Sequence, residues 1–264
     1  MLLLIDAGNT RIKWALADPQ AAPGLWSQSG SLTRAQLAQD APWTGAVVTR
    51  VIVSNVAGPG MRDALAAALP AADSVEWFVA QAAAAGIVSR YRNPGLLGSD
   101  RFASAIGAHA LFPSQNLVVA TCGTATTIDA ISADGVFVGG MIAPGLQLMA
   151  NALAINTAQL PQVLDAADPS ELAQLAQLAQ LGQPAAHLAD HTEAAIVNGC
   201  IAAQVGAISY VVQEFSQAGA GGGNVVPLCV LSGGAAKYLL PSLRIPVKLV
   251  DNLVLIGLQV YSQC

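Results

Sequence analysis

The sequence predicts an α/β protein of two similar domains, and three observations carry that reading. Its 264 residues exceed one typical domain and suit two of about 100–150 residues each. Short β-branched or leucine-rich runs alternate with stretches of helical spacing. Each half also begins alike, with a strand, a turn rich in Gly and Thr, and a second strand, as a duplicated domain would. The boundary falls near Phe112 to Gln115, giving domains 1–114 and 115–264.

The first half opens on LLLIDAGNTRIKWAL from Leu2 to Leu16: an apolar strand, a turn over Asp6 to Thr10, and a second strand. Ile12, Trp14 and Leu16 share one face of that strand, while Arg11, Lys13 and Ala15 share the other. Leu25 to Leu32 reads as a third strand and Arg34 to Gln39 as a short helix. Val47 to Val53 is a β-branched run fit for a buried strand, ending at Ser54-Asn55. A helix from Met61 to Leu69 stops at Pro70, Val75 to Val79 is a strand, and a loop carries Tyr91 to Gly95. Gly98 to Arg101 then opens a helix running to about Leu111.

The second half restarts with strands at Leu117 to Ala120 and Thr126 to Ile131 around a Cys122-Gly123-Thr124-Ala125 turn. Val136 to Val138 and Gly139-Gly140 lead to Gly145 and a helix from Leu146 to about Leu153. ELAQLAQLAQL at 171–181 has Leu at every third residue, a crooked stripe expected on a surface helix that ends at Gly182 and Pro184. Thr192 to Glu214 is a long helix, followed by a turn at Gly219 to Gly223 and a strand from Val225 to Leu231. Ser232 to Ala235 leads into a short helix, Val247 to Val250 is the last strand, and Leu253 to Tyr261 is a closing helix.

Composition excludes several classes. Apolar residues at 54% against charged ones at 10% fill a large core easily. The net charge is −5 and there is no run of Lys or Arg, so the electrostatic footprint of a nucleic-acid binder is missing and no direct nucleic-acid contact is expected. The opening five residues lack a basic n-region before Asp6, and no uninterrupted apolar run reaches about 20 residues, so no leader or membrane span is expected. Cys122, Cys200, Cys229 and Cys264 are scattered, which fits buried thiols in a reducing cytosol better than a zinc or disulfide site. His109, His187 and His191 show no ligand spacing.

Four Gly-bearing turns each follow an apolar strand: Asp6 to Thr10, Cys122 to Thr124, Gly139-Gly140, and Ser232 to Ala235. The first can aim backbone N–H groups and a hydroxyl at one point, and Gly8 leaves room for an anion. Asp6 stands where a carboxylate can hold hydrated magnesium. That is the chemistry of a nucleoside triphosphate site, although an ordinary hairpin turn would use the same residues. Several such turns in a two-part α/β chain point to a nucleotide in an interdomain cleft. Asp100 lies in the first turn of its helix, where the macrodipole favours the ionised form. Alone it reads equally as a carboxylate paired with Arg101 or nearby amides, Arg101 as a surface ion pair, and Thr192 as a helix cap.

Together, DAGNT with Lys13 beyond it, GSDR at 98–101, GTATTID at 123–129 and GGMIAPG at 139–145 resemble the type III pantothenate kinases, in order and approximate spacing. The resemblance spans both halves. It implies two duplicated ribonuclease H-like, actin-like ATPase domains of the acetate kinase, sugar kinase and actin superfamily, with the nucleotide cleft between them. The implied reaction is ATP-dependent phosphorylation of pantothenate to 4'-phosphopantothenate, the first step of coenzyme A biosynthesis, in a cytoplasmic homodimer requiring magnesium. Carried over, Asp6, Ala7, Gly8, Asn9, Thr10, Arg11, Ile12 and Lys13 form the first phosphate loop, with Asp6 holding magnesium through water. Thr124 is the second phosphate contact, and GGAAK at 233–237 the adenosine side. Gly98, Ser99, Asp100 and Arg101 bind pantothenate with Asp100 as general base, joined by Tyr91 and Thr192. One departure stands out: the family often has Asp where this chain has Thr121, and a hydroxyl is a poorer potassium ligand, so potassium dependence is expected to be weak or absent. Two alternatives remain at this point, a related small-molecule kinase of the same superfamily and a transcription-linked regulator that keeps the fold.

Overall fold

The computed structural model describes residues 1–163, 188–218 and 225–264. The chain forms two compact units, one of Met1–Gln115, Ile131–Gly139 and Asn252–Cys264, the other of Asn116–Ala130 and Gly140–Asp251.

In the first unit, β1 (Leu2–Ala7) and β2 (Ile12–Ala17) form the expected hairpin, with Asp6 opposite Lys13. β3 (Gln28–Leu32) adds antiparallel to β2; it starts late because Leu25 is exposed and lies in a turn. α1 (Arg34–Gln39) begins at a capping box in which Thr33 and Gln36 exchange side-chain bonds. β4 (Arg50–Asn55) pairs parallel with β1, and β5 (Ser74–Phe78) parallel with β4, with α2 (Pro59–Ala68) between them. The sheet order is therefore β3-β2-β1-β4-β5, with β1 central and almost wholly buried. Its core gathers Leu3, Ile5, Trp14, Val51, Val53 and Leu65, and Trp43 packs edge-on to Trp14 while donating to Ala68 O at 2.9 Å. A small hairpin, β6 (Ala83–Ala84) and β7 (Ile87–Ser89), was not expected from sequence, being too short to show a period. α3 (Ser99–Leu111) follows.

The second unit repeats the plan. β8 (Leu117–Cys122), β9 (Ala125–Ile131) and β10 (Val136–Pro144) are followed by α4 (Leu146–Asn156), α5 (Thr192–Gln217), β11 (Leu228–Ser232), α6 (Ala236–Leu239) and β12 (Val247–Leu249). They run in the order β12-β11-β8-β9-β10, in a seven-stranded sheet that β7 and β6 complete beyond β10. Numbered from β8, this is the order of the first sheet read from its other edge, so the short likeness between the two halves has a counterpart in topology. β10 is one strand, not a short strand ending at Gly139-Gly140: Gly139 adopts φ 150°, and the strand continues through it. Its Val136 and Phe137 pair with Val88 and Ser89 of β7, within the first unit.

α5 buries Ile196, Val197, Cys200, Ile201, Ile208, Val212 and Phe215 against the second core. By length and composition it could cross a membrane, unlike any uninterrupted run in the sequence, but this apolar face belongs to a core. Three cysteines are buried, and burial pushes the Cys122 and Cys229 thiols up to about 12; Cys264, against expectation, is exposed at the chain end. The tract at 171–181 with Gly182 and Pro184, His187, and the turn at 219–223 lie outside the described residues.

The closing helix α7 (Leu253–Ser262) belongs with the first unit, whereas the division at 114/115 put it in the second. Glycine explains the attachment. A Cβ on Gly257 would collide with the Ala103 carbonyl of α3, and one on Gly107 would lie 2.7 Å from Leu253 O. The two helices thus meet backbone to backbone. Gln259, wholly buried, accepts from Gly24 N (2.8 Å) and Trp26 Nε1 (3.0 Å), while Tyr261 Oη donates to Glu76 Oε1 at 2.6 Å.

In an open helix Gly→Ala gains about 1 kcal/mol of propensity. Gly257→Ala is expected to do the reverse, lowering stability by about 1–3 kcal/mol through overpacking. Thermal melting of the variant beside the parent checks the sign.

Candidate active site

Strand β1 is apolar up to Asp6, which sits beside Lys13 of β2 on one side and Ser54 of β4 on the other. Gly8 N donates to Arg11 O at 3.1 Å and closes the turn. Asn9, Thr10 and Arg11 are exposed at its tip, and Arg11 Nη1 donates to Ser31 Oγ at 3.4 Å. Ala7 and Ile12 are wholly buried in the core, so only their main chain could reach a phosphate. Burial raises the Asp6 carboxyl to about 7; the Lys13 charge opposes the rise and the Asp100 charge adds to it. The fold has therefore brought Asp100, distant in sequence, within electrostatic reach of Asp6, whose hairpin partner is Lys13.

Asp100 stands in the first turn of α3, where Gly98 occupies the cap position without a capping side chain. The carboxylate accepts from Arg101 N at 2.8 Å and lies back over Gly98, where a Cβ would come within 2.6 Å of Oδ1. The glycine of GSDR thus makes room for the carboxylate of the same motif. Burial raises the Asp100 carboxyl above its ordinary range, with the Arg101 amide and charge pulling the other way. This corrects the expectation drawn from the helix dipole: an exposed helix terminus is worth about 0.3–1 kcal/mol, and desolvation can outweigh that.

Arg101 does not lie at the surface, being only 6% exposed. Its Nη1 donates to Tyr91 Oη at 3.3 Å, and the guanidinium lies 5.7 Å from the Tyr91 ring centre and 5.8 Å from that of Phe137. The two rings meet edge to face at 6.2 Å. A buried guanidinium held by aromatic faces is suited to an anionic oxygen ligand.

In the second unit, Thr124 is exposed at the turn between β8 and β9, as a ligand-facing residue must be. Gly123 N donates to Ala125 O at 3.0 Å, and Gly145 N to Thr124 O at 2.9 Å. Side chains at Gly145 or Gly233 would strike this turn: a Cβ on Gly145 would meet Gly123 O, and one on Gly233, which has φ 95°, would meet Cys122 O. The glycines of GTATTID, GGMIAPG and GGAAK therefore form one backbone cluster. Thr192 is exposed as the first residue of α5, and the cap position is His191, so its hydroxyl is not the helix cap. Thr121 lies in register with Ser232.

Magnesium fits the first turn in a limited way. Asp6 and Asp100 are two carboxylates whose mutual repulsion a divalent cation would relieve. Among the described residues no three or more His, Cys, Asp or Glu side chains gather as a cage. That suits magnesium, which keeps several waters and binds through one or two carboxylates and substrate phosphates. Two residues at the site escaped sequence reading. Ser54 bonds Ser99 Oγ at 2.8 Å, and its signal was a polar residue closing a buried β-branched run. Phe137, beneath Arg101 and Tyr91, had no signal, because its partners come from distant segments.

Comparison with other proteins identifies the family. The family model for type III pantothenate kinase matches residues 2–214. The chain is 54% identical over 265 residues to a type III pantothenate kinase of Herminiimonas arsenicoxydans, covering 98% of this chain and 96% of that one. It is 52% identical over 269 residues to that of Janthinobacterium sp. (strain Marseille), with 98% and 96% covered. Among solved structures, a candidate Baf family transcriptional activator from Campylobacter jejuni superimposes with TM-score 0.56 at 16% identity, covering 97% and 95% of the chains. A candidate 2-dehydro-3-deoxygalactonokinase from Sinorhizobium meliloti does so with TM-score 0.52 at 15% identity, covering 100% and 98%. At such identities these structures speak for the fold alone, that of the actin-like ATPases and sugar kinases.

The raised Asp6 carboxyl has a sign in stability. Its folded value of about 7 exceeds the ordinary carboxyl value of 3.8, so the folded chain holds the proton more tightly. The stability this contributes is complete below about pH 4 and is lost as pH rises through about 7. Melting temperatures of the metal-free protein should fall over that window more steeply than those of Asp6→Asn, and a pH series with chelator compares the two.

Proposed function

The chain belongs to the type III pantothenate kinases, which phosphorylate pantothenate in coenzyme A biosynthesis with ATP as donor, and from that premise we propose how its residues divide the work. Asp100 orients the primary hydroxyl of pantothenate and accepts its proton as the oxygen attacks the γ-phosphorus. A carboxyl raised above its ordinary range is a stronger proton acceptor than an exposed one, once substrate or cation secures its ionised form. The main chain of Ala7 to Ile12, with Lys13, receives the donor phosphates, and Thr124 is their second contact. Bound magnesium would neutralise phosphate charge, and Asp6, through water, is the residue to hold it. Arg101 and Tyr91 take the pantothenate carboxylate, with Gly98, Ser99 and Thr192 as further substrate contacts. The observation that carries this division is the Asp100 carboxylate, set over Gly98 within electrostatic reach of Asp6.

We further propose a cytoplasmic homodimer, and a site with little need of potassium because Thr121 offers a neutral hydroxyl in place of a carboxylate. Asp100→Asn should lose about 10²–10⁴-fold in turnover with folding unchanged, read as pantothenate-dependent ADP release. Turnover should change little when potassium replaces a large organic cation at constant ionic strength; a strong rise would point to an intact monovalent site. Light scattering should give a mass near twice the 26.8 kDa of one chain.

A further inference from the structure

Strand β4 alternates strictly. Val51 and Val53 enter the core of the first unit, whereas Ile52 and Ser54 point to the other face of the sheet. Ile52 is wholly buried there, and a further apolar residue would suit the next position on that face. Ser54 occupies it, 0% exposed. A buried hydroxyl is costly unless hydrogen-bonded, and Ser54 Oγ finds one partner at 2.8 Å, Ser99 Oγ, itself only 8% exposed. Asn55 cannot substitute, because its side chain closes its own turn onto Ala57 N and Gly58 O.

The two serines occupy telling places. Ser54 is the register partner of Asp6 across β1 and β4, and Ser99 is the first residue of α3, immediately before Asp100. That helix end has no side-chain cap of its own, since Gly98 fills the cap position. We infer that Ser54 is a positioning residue for phosphoryl transfer: through Ser99 it ties the start of α3 to the strand beside Asp6 and so fixes Asp100 against the phosphate turn. The inference rests on the proposed role of Asp100 as base. It adds a residue that never touches substrate, and it explains why a polar pair sits where an apolar one would pack.

The test is a cycle of Ser54→Ala, Ser99→Ala and the double variant, with Ser54→Thr and Asp100→Asn alongside. Turnover is expressed per folded protein from melting curves. Misplacing a catalytic group by about 1 Å can cost on the order of 10²-fold. Each alanine variant should therefore lower kcat by roughly 10–100-fold with KM for ATP little changed, the phosphate turn being untouched. The double variant should be no worse than the worse single one, because both break the same link. Ser54→Thr should recover much of the lost kcat by restoring a hydroxyl. A merely structural link would lower melting temperature and leave kcat per folded molecule intact, which overturns the inference. If Ser54→Ala does not fold, Ser54→Thr and Ser99→Ala decide by the same criteria, with an unchanged KM for pantothenate in Ser99→Ala separating lost positioning from a lost substrate contact. If Asp100→Asn collapses while both alanine variants keep parental kcat, the inference falls and the assignment of the base stands. If Asp100→Asn stays fully active, both fall together.

Discussion

A carboxylate at the end of a buried strand is the constraint around which the first unit is arranged. β1 is hydrogen-bonded on both edges and apolar until Asp6, so the chain carries an ionisable group into a poorly solvated place. Water would keep such a carboxyl near its ordinary value; burial raises it to about 7, and the neighbouring Asp100 charge adds to the rise. Lys13, one strand away, supplies the opposing charge. Two repelling acids beside one lysine form a site that is electrostatically incomplete, and a divalent cation with a polyphosphate would complete it. The strand, the turn and the start of α3 all follow from holding these groups together.

Glycine provides the second theme, because it lets backbones touch where side chains would hold them apart. Gly107 and Gly257 bring α3 and α7 into main-chain contact, and this assigns the closing helix to the first unit. In the second unit Gly145 and Gly233 press against the Cys122 to Thr124 turn from two sides. The repeated sheet order supplies a strand-end turn in each unit, and in the second the glycines let neighbouring backbone pack directly on it. Arg101 shows the opposite strategy. Its guanidinium is buried against Tyr91 and Phe137, whose rings restrict its plane.

Much of this was legible in the residues. The alternation of apolar runs with helical spacing yielded most elements within a few positions, including the hairpin, α1 and the closing helix. Three of the four glycine-bearing turns marked strand ends, after β1, β8 and β11, while Gly139-Gly140 lay within β10, and GSDR marked the start of α3. The misses share one cause: they depend on what packs against what. Leu25 and Val47 are apolar yet exposed, so the strands begin later than their hydrophobicity implied. β6 and β7 are too short to have a period. The burial of Arg101 is likewise not written in a tetrapeptide.

Local chemistry is what the sequence determined by itself: alternation, turn residues and motif spacing depend on neighbours along the chain, and they sufficed for the fold class and the family. The tertiary structure alone decided the environment of those residues. It set Asp6 against Asp100, lifted both carboxyls by burial, enclosed Arg101 between two rings, joined Ser54 to Ser99 and returned the last helix to the first unit. The physical reason is that desolvation and contact are properties of space. They arise only when segments far apart in sequence exclude water from one another.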